Sequence, residues 1–259
     1  LVGQDYSPVD TLYSNQAVLD DNGLLYEGMA YEGRVQQIKL KMGGFQAALI
    51  RTNTPGLTTS VDNSTDVIIP KIEVAYDMNM DTMSVGGFGG YQTYSAVDGN
   101  RDDYDINSWI FGLRGKFNFG PAYVNFCGWY AQNASNYGMV VRNESDLSTI
   151  NVYDANHTED ATSYAAALAI GAKFNDMVAI EAGIGYIHSE VDDATPNSNV
   201  TGEQACTTYY VQVPITLAPG VFLVPEISIF DLGDVKVTGD PDTDMGQIAY
   251  YGAKFQINF

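Results

Sequence analysis

The sequence predicts an all-β fold, an antiparallel sheet of about twelve strands closed into a barrel that crosses a membrane. Three observations predict it. Apolar and polar residues alternate along most of the chain, as on a strand with one face in lipid and the other in water. The connections between alternating segments are short and long in turn. The charged residues on those segments fall on the face opposite the apolar one. No run of about 18 apolar residues exists, so the membrane would be crossed by strands.

The strand segments, taken in order, fall near residues 1–8, 34–42, 45–52, 66–77, 82–95, 105–118, 121–132, 161–174, 177–190, 204–217, 221–231 and 247–259. Trp109, Phe111, Leu113 and Phe117 alternate with Ser108, Arg114 and Lys116. Tyr164, Ala166, Leu168 and Ile170 alternate with alanines and Gly171; their propensity is helical, but the alternation and the Asn175-Asp176 turn favour a strand. Tyr209, Val211 and Ile215 alternate with Tyr210, Gln212 and Thr216. The last segment alternates Tyr251, Ala253, Phe255, Ile257 and Phe259 with Gly252, Lys254, Gln256 and Asn258.

The connections sort into two sets. Gly43-Gly44, Met78–Asp81, Phe119–Pro121, Asn175-Asp176 and Ala218–Gly220 are tight turns. Residues 9–33, 53–65, 96–104, 133–160, 191–203 and 232–246 are long and mostly acidic. Such alternation belongs to membrane barrels with short turns on one side and long loops on the other. A soluble sandwich gives no reason for it, and would put charge on its outer faces. Tyr91, Tyr94, Trp109, Tyr130, Tyr164, Tyr186 and Tyr209 sit near the long-loop ends, and Phe45, Phe117, Phe174, Phe255 and Phe259 near the short-turn ends, as two aromatic girdles.

The whole of 1–259 reads as one domain. Its net charge of −20, from 32 acidic and 12 basic residues, argues against nucleic acid as a partner. Most acidic residues lie in the long loops, whereas Lys39, Lys41, Lys71, Arg114, Lys116, Lys173 and Lys254 lie on strands. A lipid-facing lysine costs about 2–4 kcal/mol at the bilayer midplane, so these seven, with Glu73, Glu181 and Glu226, are expected to line the lumen, where the carboxylates pair with the cations. Cys127 and Cys206 fall on strands three apart, too far for a disulfide. His157 and His188 have no nucleophile and orienting group beside them in the sequence, so no enzyme is expected. No cofactor is implied; clusters such as Asp240–Asp244 offer calcium an oxygen-rich loop without a recognisable motif.

The terminal strand, with Tyr251, Phe255, Ile257 and Phe259, resembles the assembly signal of Gram-negative outer-membrane β-barrels. The run Leu1–Pro8, the segment Leu12-Tyr13-Ser14-Asn15-Gln16, Asp20–Leu25, Tyr31-Glu32-Gly33-Arg34 and then Gly44–Ile50 resemble the middle of a trimeric general porin, where a strand enters a loop that folds inward and narrows the pore. The resemblance implies a passive diffusion channel of the outer membrane, a homotrimer, contact with membrane lipid and lipopolysaccharide, and delivery by the barrel-assembly machinery. It implies a constriction at 9–33, with Asp20, Asp21 and Glu27 on the loop and Arg34 on the wall. In a sixteen-stranded porin that loop follows the fifth strand; here it follows the first. The chain therefore reads as the last twelve strands of a sixteen-stranded barrel, with a complete twelve-stranded barrel as the alternative. A twelve-stranded autotransporter translocator, or a structural or adhesive barrel, is the competing function.

Overall fold

Glycine and proline punctuation divides the chain as alternation and turn chemistry require. The computed structural model describes residues 1–17, 26–54, 64–97, 103–142, 147–154, 157–192 and 201–258. The strands in order are β1 (Val2–Tyr6), β2 (Arg34–Met42), β3 (Phe45–Ile50), β4 (Ser64–Asp66), β5 (Lys71–Asn79), β6 (Met83–Val97), β7 (Asp103–Phe119) and β8 (Ala122–Gln132). A short helix, α1 (Ala134–Tyr137), precedes β9 (Asn151–Asp154), β10 (His157–Glu159), β11 (Ala161–Lys173), β12 (Ala179–Val191) and β13 (Gly202–Gln212). Then come β14 (Ile215–Ala218), β15 (Val221–Asp231), β16 (Asp234–Val237), β17 (Thr243–Asp244) and β18 (Gln247–Ile257).

Sixteen of these segments share one antiparallel sheet, and β9 and β10 form a separate hairpin. Its spine runs β1-β2-β3-β5-β6-β7-β8-β11-β12-β13-β15-β18, each strand beside its neighbour in sequence. These are the twelve predicted strands. The ladders are long: β6 and β7 pair from Met83↔Phe117 to Val97↔Asp103, and β11 and β12 from Ala161↔Val191 to Lys173↔Ala179. Among the described residues, β1 pairs only with β2, and β18 only with β15.

Two predicted strands are broken where proline removes a ladder donor. Pro214 separates β13 from β14, although both pair with β15. The segment expected at 66–77 starts only at Lys71, after Pro70; upstream, β4 pairs with the far end of the same β6, in a shifted register. The tight connections are as expected, with Gly43, Gly120 and Gly220 at positive φ, where a side chain would be strained. The long ones carry extra structure: α1, the β9–β10 hairpin, and the β16–β17 hairpin, whose first strand pairs with the start of β13.

The two faces are inverted relative to a water-soluble sheet. On β5, Lys71 and Glu73 are fully buried, while Ile72, Val74 and Tyr76 are 45–57% exposed. The same holds at Leu40, Leu49, Leu113, Leu168, Ile184, Val211 and Ile227, all exposed. Such a belt is stable only where its surroundings are also apolar. Trp109, Phe111 and Tyr130 cluster on this outer face, with ring centroids 5.6–5.7 Å apart. Tyr94 does not join the girdle: it is 2% exposed, its parity along β6 matches Gln92 rather than Tyr91, and its hydroxyl accepts from Asn136. The core lies on the inward face, where Val9, Met29 and Ala30 of the first loop and Ala134, Tyr137 and Met139 of the loop after β8 pack on Phe88, Cys127, Trp129, Ala165 and Ala167. Cys127 and Cys206 are both buried, and neither forms a disulfide.

Candidate functional site: the inward face and the loop across it

The site is built by the inward-pointing side chains of the wall and by the first long loop, which leaves β1 and re-enters at β2. Its two feet are tied together. The Asp10 carboxylate accepts from the backbone N–H groups of Ser7 (3.0 Å), Glu32 (2.6 Å) and Gly33 (3.3 Å), and Thr11 N donates to Ala30 O at 2.8 Å. Burial pushes the Asp10 carboxyl up to about 7 despite these donors.

From there the loop reaches across the inward face. At its start, Ser7 Oγ donates to Glu73 (2.5 Å), and the Arg114 guanidinium donates to Pro8 O and Asp10 O at 3.0 Å each. The same guanidinium forks onto Asp77 of β5 at 2.7 and 2.8 Å. Further along, Asn125 donates to Tyr13 O, and the Lys116 ammonium stands 4.1 Å from the Tyr13 ring centre. At the far side the loop meets carboxylates of the opposite wall. Asn15 donates to both oxygens of Glu181 (3.0 and 2.7 Å), and Ala17 N donates to Glu226 (2.5 Å). Gln16 reaches Ser228, and Gln212 donates to Asn15 O.

The return leg, from Tyr26 to Gly33, lies flat on β11 and β12. A Cβ at Gly28 would stand 2.5 Å from Ala166 O, and one at Gly185 2.5 Å from Glu27 O. Glycine on both surfaces permits this contact. The loop after β8 runs alongside, with Val140 N donating to Tyr31 O and Arg142 N to Tyr26 O.

Charge of both signs lines this face. Lys39 and Lys41 (β2), Lys71 (β5), and Arg114 and Lys116 (β7) stand among Asp5, Glu73 and Asp77, and Glu181 (β12) and Glu226 (β15) lie on strands flanked by those of Lys173 (β11) and Lys254 (β18). Lys39 pairs with Asp5 at 2.6 Å and donates to Tyr6 O. Lys71, fully buried, is held by Glu32 of the loop, by Glu73 at 3.6 Å, by Tyr137 O, and by the Tyr137 ring at 4.4 Å. Burial raises the pKa of Glu32, against the pull of Lys71. Among the described residues Glu181 and Glu226 have no cationic partner, unlike the pairing expected. Glu181 is satisfied by Tyr123, Tyr210, Gln212 and Asn15, and Glu226 by Ser228 and Ala17, because neutral donors surround both.

The residues singled out from sequence fare differently. Lys39, Lys71, Arg114 and Lys116 point inward; Lys41, Lys173 and Lys254 share that parity and are exposed. Glu27 is fully buried; its ion-pair partner is Arg142 of the neighbouring loop, the Thr208 side chain of β13 also bonds it, and burial pushes its carboxyl up to about 7. Arg34 is misplaced by the sequence reading. Five residues from Lys39 on the same strand, it must face the other way, and it stacks outward on the Tyr6 ring at 5.1 Å. Asp20, Asp21 and Phe259 lie outside the described residues. Tyr251, Phe255 and Ile257 form the exposed outer row of β18. Sequence reasoning missed Asn15, Tyr210, Gln212 and Arg142. Tyr210 and Gln212 share the parity of a lumen face, which was the available signal; nothing local marks Arg142.

No protein-family model matches the sequence, and no curated protein does. Solved structures do. The outer membrane channel DcaP of Acinetobacter baumannii aligns with 98% of this chain and 70% of its own, at 12% identity and a TM-score of 0.68. The chain has the fold of a Gram-negative outer-membrane β-barrel. OmpT of Vibrio cholerae, expressed in the outer membrane, aligns with 97% of this chain and 75% of its own, at 14% identity and a TM-score of 0.56. An in-vitro folded trimer form of OmpT gives 99%, 75%, 14% and 0.57. In an outer-membrane barrel the short turns face the periplasm and the long loops the exterior. Asp10, Glu27 and Glu32 therefore belong to an external loop folded back between the walls.

Proposed function

We propose that the chain forms a water-filled channel for passive diffusion of small hydrophilic solutes and ions, with the loop at 9–33 as its constriction. One observation carries the reading: charged side chains are gathered on the inward face while the belt outside is apolar, and a polar loop is fastened across that face, from Arg114 at its start to Glu181 and Glu226 at its far side. Opposed charges across a narrow passage create a transverse field that orients polar solutes. The pore-lining set is Lys39, Lys41, Lys71, Glu73, Arg114, Lys116, Lys173 and Lys254. Catalysis has less support at His188. Its neighbour Ser189 points to the opposite face, bonded to Ser163 at 2.8 Å, so the serine adjacent in sequence does not stand beside the imidazole.

A homotrimer in lipid and lipopolysaccharide, delivered through the terminal strand to the assembly machinery, completes the proposal. Channel action needs no cofactor; calcium at Asp240, Asp242 and Asp244 would be peripheral to it. The second reading is a plugged, structural barrel, favoured by the buried packing of Val9, Met29 and Tyr137 on the inward face.

Planar-bilayer recording separates the two. A channel gives stable open steps proportional to salt concentration; a silent barrel, inserted and folded, overturns the proposal. Replacing Asp20 and Asp21 together by Asn is expected to shift ion selectivity, and unchanged selectivity would remove them from the constriction.

A further inference from the structure

Outside the lumen, one cluster has a composition and spacing that the channel reading does not use. Glu190 of β12 and Glu203 of β13 are directly opposite in the ladder, and Lys236 of β16 is directly opposite Glu203. Parity puts all three on the outer face, with His188 two residues from Glu190. Two carboxylates placed opposite each other repel. Lys236 answers only one side of the pair, binding Glu203 Oε1 at 3.2 Å.

The other Glu203 oxygen turns toward His188. His188 Nε2 lies 3.4 Å from Glu190 Oε2 and 4.0 Å from Glu203 Oε2, and one ligand atom from each residue falls within 4.8 Å of the others. Two ligands bound about 2.0–2.1 Å from a tetrahedral zinc ion are about 3.4 Å apart. The first spacing already matches that edge, and the second needs only a small side-chain rotation. Tyr164 stacks on the imidazole, with centroids 4.9 Å apart and planes 24° apart, and so limits its rotation. All three ligands are half-buried. They lie at the long-loop end of the barrel, beyond Tyr186, where the exterior solution reaches them.

We propose that His188, Glu190 and Glu203 form a surface site for a divalent transition metal, with zinc the best match to one imidazole and two carboxylates. Water fills the fourth position. Lys236 orients Glu203 and, being cationic, holds the affinity down. The bound ion replaces the repulsion between Glu190 and Glu203 by a shared ligand and clamps β12 to β13 where the β16–β17 hairpin begins. The site is independent of whether the lumen conducts.

The test is equilibrium dialysis of the full chain in detergent micelles against zinc sulfate, with bound metal quantified. The wild type is expected to take up one zinc ion per chain. His188→Ala and the near-isosteric Glu203→Gln are each expected to weaken binding at least about tenfold, comparable to losses on disturbing a metal site. Lys236→Gln, which removes a like charge, is expected to tighten it. Retained heat-modifiable mobility on gels shows that each variant is folded; if His188→Ala is not, His188→Gln replaces it. No stoichiometric uptake by the wild type overturns the proposal, and so does wild-type affinity in the folded His188 variant.

Discussion

At the scale of single residues, the inward face is governed by how buried charges are satisfied. Lys71 is held between Glu32 and Glu73 with almost no access to water, so removing it leaves two carboxylates facing each other. Breaking a buried pair in this way costs about 3–5 kcal/mol. Lys71→Met is therefore expected to lower the urea midpoint of the folded barrel, followed by tryptophan fluorescence, and adding Glu32→Gln and Glu73→Gln is expected to restore most of the loss. Asp10 and Glu27 make a pH prediction. Burial lifts both folded-state values to about 7, above the ordinary carboxylate range near 4. The docked loop thus binds more protons than a released one between about pH 4 and 7, and its docking weakens as pH rises through that window. Limited proteolysis of the first loop is expected to be slower at pH 5 than at pH 8, and Asp10→Asn is expected to reduce the difference.

At the scale of elements, the strands were legible because a period of two is a local signal. Proline explains the two places where they break. The loop's path was less legible, because it rests on contacts between residues far apart in sequence, such as Asn15 with Glu181 and Glu27 with Arg142. Arg34 shows the opposite case: the parity of β2 contained the answer, and position next to the loop was the weaker guide. The contact between the return leg and the wall gives a direct test. Valine at Gly185 would bring a side chain against the Glu27 carbonyl, where even a Cβ stands at 2.5 Å. The strand itself tolerates valine. Gly185→Val is expected to leave barrel formation intact and to free the loop, giving larger and noisier single-channel steps in planar bilayers. Unchanged steps would mean that the loop does not limit the passage.

At the scale of the whole molecule, one rule joins lipid outside to charge inside, and neighbouring residues on one strand can test both halves. Val211 and Gln212 lie near the middle of the span formed by β13 and β14, and their side chains point to opposite faces. Val211 is 48% exposed on the apolar belt, and Gln212 is buried with its amide on Glu181 at 3.0 Å. A lysine at 211 must carry its ammonium into hydrocarbon or bend toward the surface, at about 2–4 kcal/mol near the midplane. A lysine at 212 meets the Glu181 carboxylate and the polar loop, so its charge finds a partner. The two substitutions change net charge equally and differ only in face. Val211→Lys is expected to reduce the folded fraction in lipid vesicles, read from heat-modifiable mobility, whereas Gln212→Lys is expected to fold near the wild-type level. In bilayers Gln212→Lys is further expected to shift selectivity toward anions, because its ammonium neutralises the Glu181 carboxylate. Equal folding of the two variants would contradict the assignment of faces, and folding of Gln212→Lys with unchanged selectivity would separate the barrel from the proposed pore.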